Sequence, residues 1–403
     1  MSFQHGLSGI AAAAKNLDVI GNNVANANTV GAKAARAEFA DLYANSLTGV
    51  AGANTGIGVT VASIAQQFTQ GDIVSTQNPL DMAINGRGFF RVSQQGEVQY
   101  TRNGQFRLDA DGYVVTAQGA RLSGYATDPQ GVIINGTPSD LRISTADISP
   151  RPTAAGRAQL NLDARKTPLA GGFDSDDPDS YHSSMSMSVF DTLGRDHQVT
   201  LYYRKVGGNT WDVHTSADGN EIPGVTTTLQ FSPSGLLTTP AAPFGVTIPV
   251  GADAGGSLAF TMDLSRATQF GASFATTEIT QDGFGAGRLS GFSADESGLL
   301  IGRYSNGQTR PQGQIVLANF VNPQGLVPLG NNVWVESAAS GQPTLGAPGS
   351  GILGRLESTA VENSTVDLTA ELVNMITAQR VYQANAQTIK THDQLLQTMV
   401  NLR

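Results

Sequence analysis

Val366 to Arg403 reads VDLTAELVNMITAQRVYQANAQTIKTHDQLLQTMVNLR, with no glycine or proline anywhere in the run. Leu372, Met375, Gln379, Tyr382, Ala386, Ile389, Asp393, Leu396 and Val400 recur at alternating steps of three and four, which sets them on one stripe of an α-helix. Asp367 or Thr365 can supply the N-cap, and Glu371 in the early turns complements the helix dipole. At 1.5 Å per residue, roughly 36 residues make a rod of about 54 Å. The opposite end of the chain carries the same signal, because Phe3, Leu7, Ile10, Ala14, Leu17, Gly21 and Val24 follow a heptad spacing. A helix with such a stripe usually buries it on the core of its own domain. Here both stripes lie at chain ends with β-type sequence between them, so each has mainly the other helix or a neighbouring copy to cover it.

Inward from the helices the period changes to two. Asp111-Gly112 sits between FRL and YVV as a hairpin signal, and further turns fall at Gln95-Gly96, Ser234-Gly235, Ser297-Gly298 and Asn306-Gly307. The middle of the chain therefore reads as mostly antiparallel sheet. From about residue 185 the segments MSMSVFD, QVTLYYRKV, TWDVHT, TTTLQF and LAFTMDL follow one another at the spacing of a β-sandwich and read as an inserted domain. Glycine, proline and serine gather at 48–58 (TGVAGANTGIG), 149–156 (SPRPTAAG) and 341–351 (GQPTLGAPGSG), the candidate linkers or large loops.

The 403 residues exceed what a single core holds, so two or three domains are expected. A net charge of −9, with 14% charged residues and 47 glycines, suits a turn-rich β surface and argues against nucleic acid as a partner. Cysteine is absent, which excludes disulfides, thiolate metal sites and cysteine nucleophiles. No stretch reaches the ~18 to 20 apolar residues that insertion into a membrane requires. The opening MSFQHGLSGIAAAAKNLDVIGNN lacks the charged and apolar regions of a secretory signal, so export would proceed without a cleaved signal peptide.

A search for chemistry finds none. His5, His182, His197, His214 and His392 are scattered, with no metal-binding spacing. Asp196 and His197 are neighbours on a strand and point to opposite faces. The acidic run Asp174, Asp176, Asp177 and Asp179 resembles a calcium loop only in part, since Pro178 stands where a ligand is needed. Asp109 and Asp111 fail the same test, with Arg107 at the first ligand position and Gln118 at the last. No nucleophile elbow, phosphate loop or dinucleotide fingerprint occurs. No catalytic, cofactor-binding or metal-binding residue is expected, and no cofactor. An enzyme would need a site assembled from distant residues around a deep cleft. A secreted adhesin would need an exposed aromatic platform, for which only Trp211 and Trp334 are available as indoles.

The segment LDVIGNNVANANTVGAK, Leu17 to Lys33, resembles the N-terminal signature of the bacterial flagellar rod and hook axial proteins, with Asn22, Asn23, Asn26, Thr29, Gly31 and Lys33 in register. The family usually carries an aromatic where Ala32 stands. NPLDMAINGRGFF (Asn78 to Phe90) with the following YTRNGQFRLDADGYVVT is similar to the β domain common to rod and hook subunits. GQIVLANFVNPQGLVPLGNNVWVESAASG from Gly313 and the C-terminal helix resemble the family too. Distal rod subunits are shorter and lack an insert like 146–284, and the run NAQTIKT (Asn385 to Thr391) again favours the hook branch over the rod.

The resemblance implies a mostly β, nested multi-domain axial protein with long terminal α-helices. The expected parts are a helical inner domain of residues 1–30 plus 360–403, a linker at 31–63, a discontinuous β-rich middle domain of 64–145 plus 285–359, and an inserted β-rich outer domain at 146–284. It also implies an extracellular structural subunit of a flexible helical tube, a universal joint passing torque from rod to filament in motility. Its partners would be further copies of itself, the hook cap protein, the distal rod and hook–filament junction proteins, and the flagellar type III export apparatus. The assembly seam would comprise Phe3, Leu7, Ile10, Leu17, Val24, Leu372, Met375, Tyr382, Ile389, Leu396 and Val400. A lone subunit cannot fully bury two one-sided helices, so the ends are expected to be disordered until assembly orders them.

Overall fold

The structure, a computed structural model, describes residues 2–42, 56, 58–128, 131–134 and 136–401. Most of the glycine-rich run at 48–58 lies outside the described residues. The chain forms two compact units, one of residues 1–144, 292–302 and 310–403, the other of 145–291 and 303–309.

In the first unit α1 (Ser2–Ala25) and α2 (Leu368–Asn401) are both helical, and the 34 residues of α2 span about 51 Å. Asp367 is the N-cap of α2, since its Oδ1 accepts from the amides of Thr369 at 2.8 Å and Ala370 at 3.2 Å. Thr365 does not cap; its hydroxyl oxygen accepts the Ala34 amide at 2.9 Å. The stretch 31–63, expected as a linker, instead carries strands β1 (Ala35–Leu42) and β2 (Gly58–Gln66), paired antiparallel from Ala35 opposite Gln66 to Leu42 opposite Gly58. Both segments, ARAEFADL and GVTVASIAQ, alternate apolar and polar residues for much of their length, which suits a half-exposed ribbon.

The β core of this unit runs in strand order 309–315, 121–126, 89–94, 97–101, 333–335 and 327–330. Phe89, Tyr100, Phe320 and Trp334 bury an edge-to-face aromatic cluster against it, with ring centroids 4.8 to 5.9 Å apart. The turn at Asp111-Gly112 joins Phe106–Leu108 to Val114–Thr116 as its sequence predicts. Asp109 Oδ1 accepts from the amides of Asp111 at 3.0 Å and Tyr113 at 2.8 Å, so this carboxylate folds the turn. Gly112 has φ +84°, and a Cβ there would stand 2.6 Å from the Ile143 carbonyl oxygen. The proline- and glycine-rich run at 341–351 stays inside this unit as turns around a short strand at Thr344–Gly346.

The second unit is a sandwich. One sheet is a meander of 183–190, 196–205, 210–217, 220–231 and 237–239. The other is built round Ala155–Asp163, which runs parallel to Ser257–Asp263 and Thr268–Phe270, a departure from the expected antiparallel pattern. That strand enters before the meander and its partners follow it, so two of its pairings are crossovers instead of hairpins. Met185, Met187, Val199, Leu201, Tyr203, Trp211 and Val213 from the meander meet Leu160, Val246, Ile248, Phe260 and Met262 from the other sheet in one core. Trp211 and Trp334 are 1% and 2% exposed, so neither indole offers a platform to solvent.

The meander is pinned at one turn by Asp191, whose buried carboxylate takes the amides of Leu193 and Arg195, each at 2.9 Å, and the Arg195 Nε at 2.7 Å. His197 lies between two acids, with Nδ1 2.7 Å from Asp218 Oδ2 and Nε2 3.4 Å from Asp191 Oδ2. The Asp218 hydrogen bond, aided by Asp191 and opposed by partial burial, raises the His197 pKa above its ordinary value. Stabilisation from a raised histidine is complete below the unfolded pKa of about 6.5 and fades as pH rises through the folded one. Protection factors in strands 196–205 and 210–217, that is, exchange corrected for its own base catalysis, should therefore fall as pH rises above about 6.5, and His197→Gln should flatten that profile; an unchanged slope in the variant would remove the histidine as its cause.

Candidate assembly surface

α1 and α2 lie antiparallel, with Gly6 against Ile389, Gly9 against Asn385, and Asn23 against Glu371. The stripe of α1 turned inward is Gly6, Gly9, Ala13, Asn16, Ile20 and Asn23, each one residue before the stripe expected from sequence. One residue is about 100° of helix rotation. Small residues explain the choice. A Cβ on Gly6 would fall 2.8 Å from Ile389 Cγ1, and one on Gly9 would fall 2.7 Å from Asn385 Oδ1, so the close approach of the helices depends on side chains that are absent. Both helices pack on each other within one chain, because this small-residue face gives them a mutual surface.

The seam residues consequently divide. Phe3, Leu7, Leu372, Tyr382 and Leu396 are 40% to 57% exposed, whereas Ile10, Leu17, Val24, Met375 and Ile389 are half-buried, Ile389 against Gly6. Val400 is in α2, and its side chain lies outside the described residues. Leu368, Val373, Ile376 and Leu395 add to the outward apolar surface at 41% to 58% exposure. Between α1, α2 and the β1–β2 ribbon a groove of about 930 Å³ remains, lined by small residues including Ala12, Ala13, Ala35 and Ala378.

Where α1 ends, the motif residues make a joint. Asn26 Nδ2 donates to the Asn22 carbonyl oxygen at 2.9 Å, and the Thr29 amide donates to the Asn26 carbonyl at 3.1 Å, winding up the helix terminus. Asn23, 3% exposed, donates to the Ala35 carbonyl at 2.8 Å, accepts the Ala35 amide at 2.9 Å, and donates to Glu371 Oε1 at 3.3 Å. Gly31 has φ +72°, and its missing Cβ would stand 2.6 Å from the Asn103 nitrogen. The buried Ala32 carbonyl accepts the Thr365 amide at 3.2 Å.

Lys33 Nζ donates to Glu362 Oε1 and to the Thr69 carbonyl, both at 2.6 Å, and Glu362 Oε1 also accepts the Gly71 amide at 2.8 Å. Arg102 Nη1 donates to Glu362 Oε2 at 3.1 Å and its Nη2 to the Gly86 carbonyl at 2.8 Å, while its Nε has no partner. Lys33, Arg102 and Glu362 are 7%, 5% and 0% exposed. Burial pushes Lys33 and Arg102 below their ordinary pKa values, against the opposing pull of Glu362. Lys33 belongs to the sequence motif; Arg102 and Glu362 carry no local sequence signal, because their partners lie far away along the chain.

The acidic residues Asp174 and Asp177 serve turns, accepting the amides of Asp176 at 2.9 Å and Asp179 at 3.0 Å. Among the described residues no group of three or more histidine, aspartate or glutamate side chains could hold a metal ion, and no helix is long and apolar enough to cross a membrane.

Family models match along the chain: a flagella basal body rod protein family over residues 3–33, the flagellar hook protein FlgE/F/G D1 domain over 83–148, the flagellar basal body protein FlaE D2 domain over 161–284, and the flagellar basal body rod FlgEFG protein C-terminal family over 357–402. The flagellar hook protein FlgE of Escherichia coli is 43% identical with all of both chains covered, and that of Salmonella typhimurium is 42% identical over the same extent. The corresponding protein of Borreliella burgdorferi is 33% identical over all of this chain and 99% of its own. The crystal structure of Helicobacter pylori flagellar hook protein FlgE2 shares the fold, with a TM-score of 0.55 over 72% of this chain and 100% of that one at 15% identity.

Terminal helices bracketing β-rich units, with rod-type signatures at both ends, define an axial protein of the bacterial flagellum. The chain belongs to the flagellar hook protein family. It is a structural component of the flagellar hook, on the motility apparatus outside the cell.

Gly31 tests the joint. Gly31→Ala would add a left-handed alanine and a methyl group against backbone atoms that cannot turn aside, costing about 1 to 3 kcal/mol. Urea unfolding should register that loss in the first unit and leave the second unchanged, whereas a midpoint equal to wild type would show that the joint tolerates a shift.

Proposed function

We propose that the chain polymerises head to tail through the outward apolar faces of α1 and α2, and that the resulting tube is the flexible joint of the hook. One observation carries this reading: the helices close on each other with glycine and alanine and turn their large apolar side chains to solvent. Leu368, Leu372, Val373 and Ile376 form one patch at the start of α2. Because Gly6 lies against Ile389, Phe3 and Leu7 approach the end of α2 that carries Leu395 and Leu396, giving a second patch there. Ile376 and Leu395 are about 28 Å apart along the helix. Two unlike patches at opposite ends of one helical pair favour a contact that does not close on itself and so generates a helical filament.

Around this inner contact, the polar surfaces of the β units suit small, reversible contacts that slide as the tube bends. Further copies of the chain are the principal partner; the hook cap, distal rod and hook–filament junction proteins and the type III export apparatus are the others in this reading. We infer no catalytic role, a reading supported by the family and by the use of the acidic loops in turn formation.

Leu372→Asp or Leu7→Asp should each abolish fibres seen by electron microscopy while leaving monomer melting unchanged, since an unpaired charge enters each subunit contact at a cost of several kcal/mol. Mixing the two variants should restore short complexes through the intact pair of patches, without long fibres. Fibres from either variant alone would place the contact elsewhere.

A further inference from the structure

The joint holds two buried cations and a single anion. Lys33 arrives with the segment that follows α1, Arg102 belongs to the β core of the first unit, and Glu362 arrives with the segment that precedes α2. Both cations reach one carboxylate, Lys33 on Oε1 and Arg102 on Oε2, and the charge on Arg102 is felt at Lys33. The remaining contacts of the cations are to neutral carbonyl groups, at Thr69, Ile84 and Gly86, with the Arg102 side chain also beside the Phe89 ring. Among the described residues, Glu362 is thus the one group that balances charge on both cations.

The two chain segments therefore face different costs on docking. Seating residues 360–365 first brings a carboxylate to Arg102 and to the Gly71 amide, which leaves one cation matched by one anion. Seating residues 31–35 first would bring Lys33 beside Arg102 before any carboxylate is present, so two like charges would meet with no counterion. The backbone bonds between the segments, from the Gly31 amide to the Glu362 carbonyl at 2.8 Å and from the Thr365 amide to the Ala32 carbonyl at 3.2 Å, form only once both are in place.

We propose that Glu362 imposes an order on the folding of the chain ends, so that the segment leading into α2 docks first and the segment trailing α1 docks only on the carboxylate it supplies. Coupling between the two segments is reciprocal, as linkage requires. The order arises because the half-docked state holding Glu362 is tolerable and the half-docked state holding Lys33 is not. The helix pair is consequently completed from its C-terminal member. The device is independent of whether the helices then polymerise.

Hydrogen exchange on the full-length chain tests it, with strands 196–205 and 210–217 of the second unit as an internal reference. Glu362→Gln should speed exchange at residues 30–36, on the other segment, by more than about tenfold. Lys33→Met should leave exchange at 357–366 within about threefold of wild type, since Glu362 keeps Arg102. The deciding variant is the double, Lys33→Met with Glu362→Gln. Removing the stranded cation should return protection at 30–36 at least about threefold toward wild type. A merely structural loss of hydrogen bonds predicts the opposite, a double variant looser than either single one. That result would overturn the proposal, as would a Glu362→Gln variant whose residues 30–36 keep wild-type protection, or a Lys33→Met variant that loosens 357–366 as much as Glu362→Gln loosens 30–36.

Discussion

Three parts of the chain meet at the carboxylate of Glu362. It binds Lys33 from the N-terminal segment and Arg102 from the β core, and it sits on the short approach to α2. A buried ion cluster of this kind is not a strong source of net stability, because removing three charges from water offsets most of what their attraction returns. Its value lies in selectivity. The two cations share this one carboxylate, which ties both chain ends to the same place on the β core. The hairpin of β1 and β2, the Asn23 clasp on Ala35 and the antiparallel helix pair all adjoin that placement along the chain.

Above the joint, the helices follow a division of labour by side-chain size. Glycine at positions 6 and 9 and alanine at 13 let α1 approach α2 closely, a geometry in which dispersion is gathered from backbone atoms. Leucine, valine and phenylalanine would hold the helices apart if they occupied the same face. Phe3, Leu7, Leu372, Val373 and Leu396 are displaced outward instead, where a second copy would bury them in the proposed contact. A face that closes a helix pair within one chain and the face proposed to join chains are thus written on the same helix, about 100° apart.

Much of this is legible in the sequence. The heptad spacing announced both helices, the period of two and the Gly-containing dipeptides announced the sheets, and Asp111-Gly112 became the turn it predicts, because these signals depend on contacts a few residues apart. The motif from Asn22 to Lys33 marked the segment that forms the joint. Periodicity, however, records where large apolar residues lie and is blind to glycine, so it pointed to the stripe through Leu7 and Leu17 and missed the one through Gly6 and Ala13. Residues 31–63 read as a linker for a related reason: the strand ARAEFADL has little β-branched character and is held as a strand by α1 and β2.

The sequence by itself determined the kinds of element, their order, the absence of cysteine chemistry and the one-sided apolar character of both ends, since each is a property of composition or of neighbours along the chain. Only the tertiary structure decided which face of α1 turns inward, how Ala155–Asp163 comes to run parallel to strands that follow it, and that Arg102 and Glu362 share a buried site with Lys33. Those outcomes depend on steric fit and charge balance between residues far apart in the chain, and no local pattern encodes the distance between groups that meet only after folding.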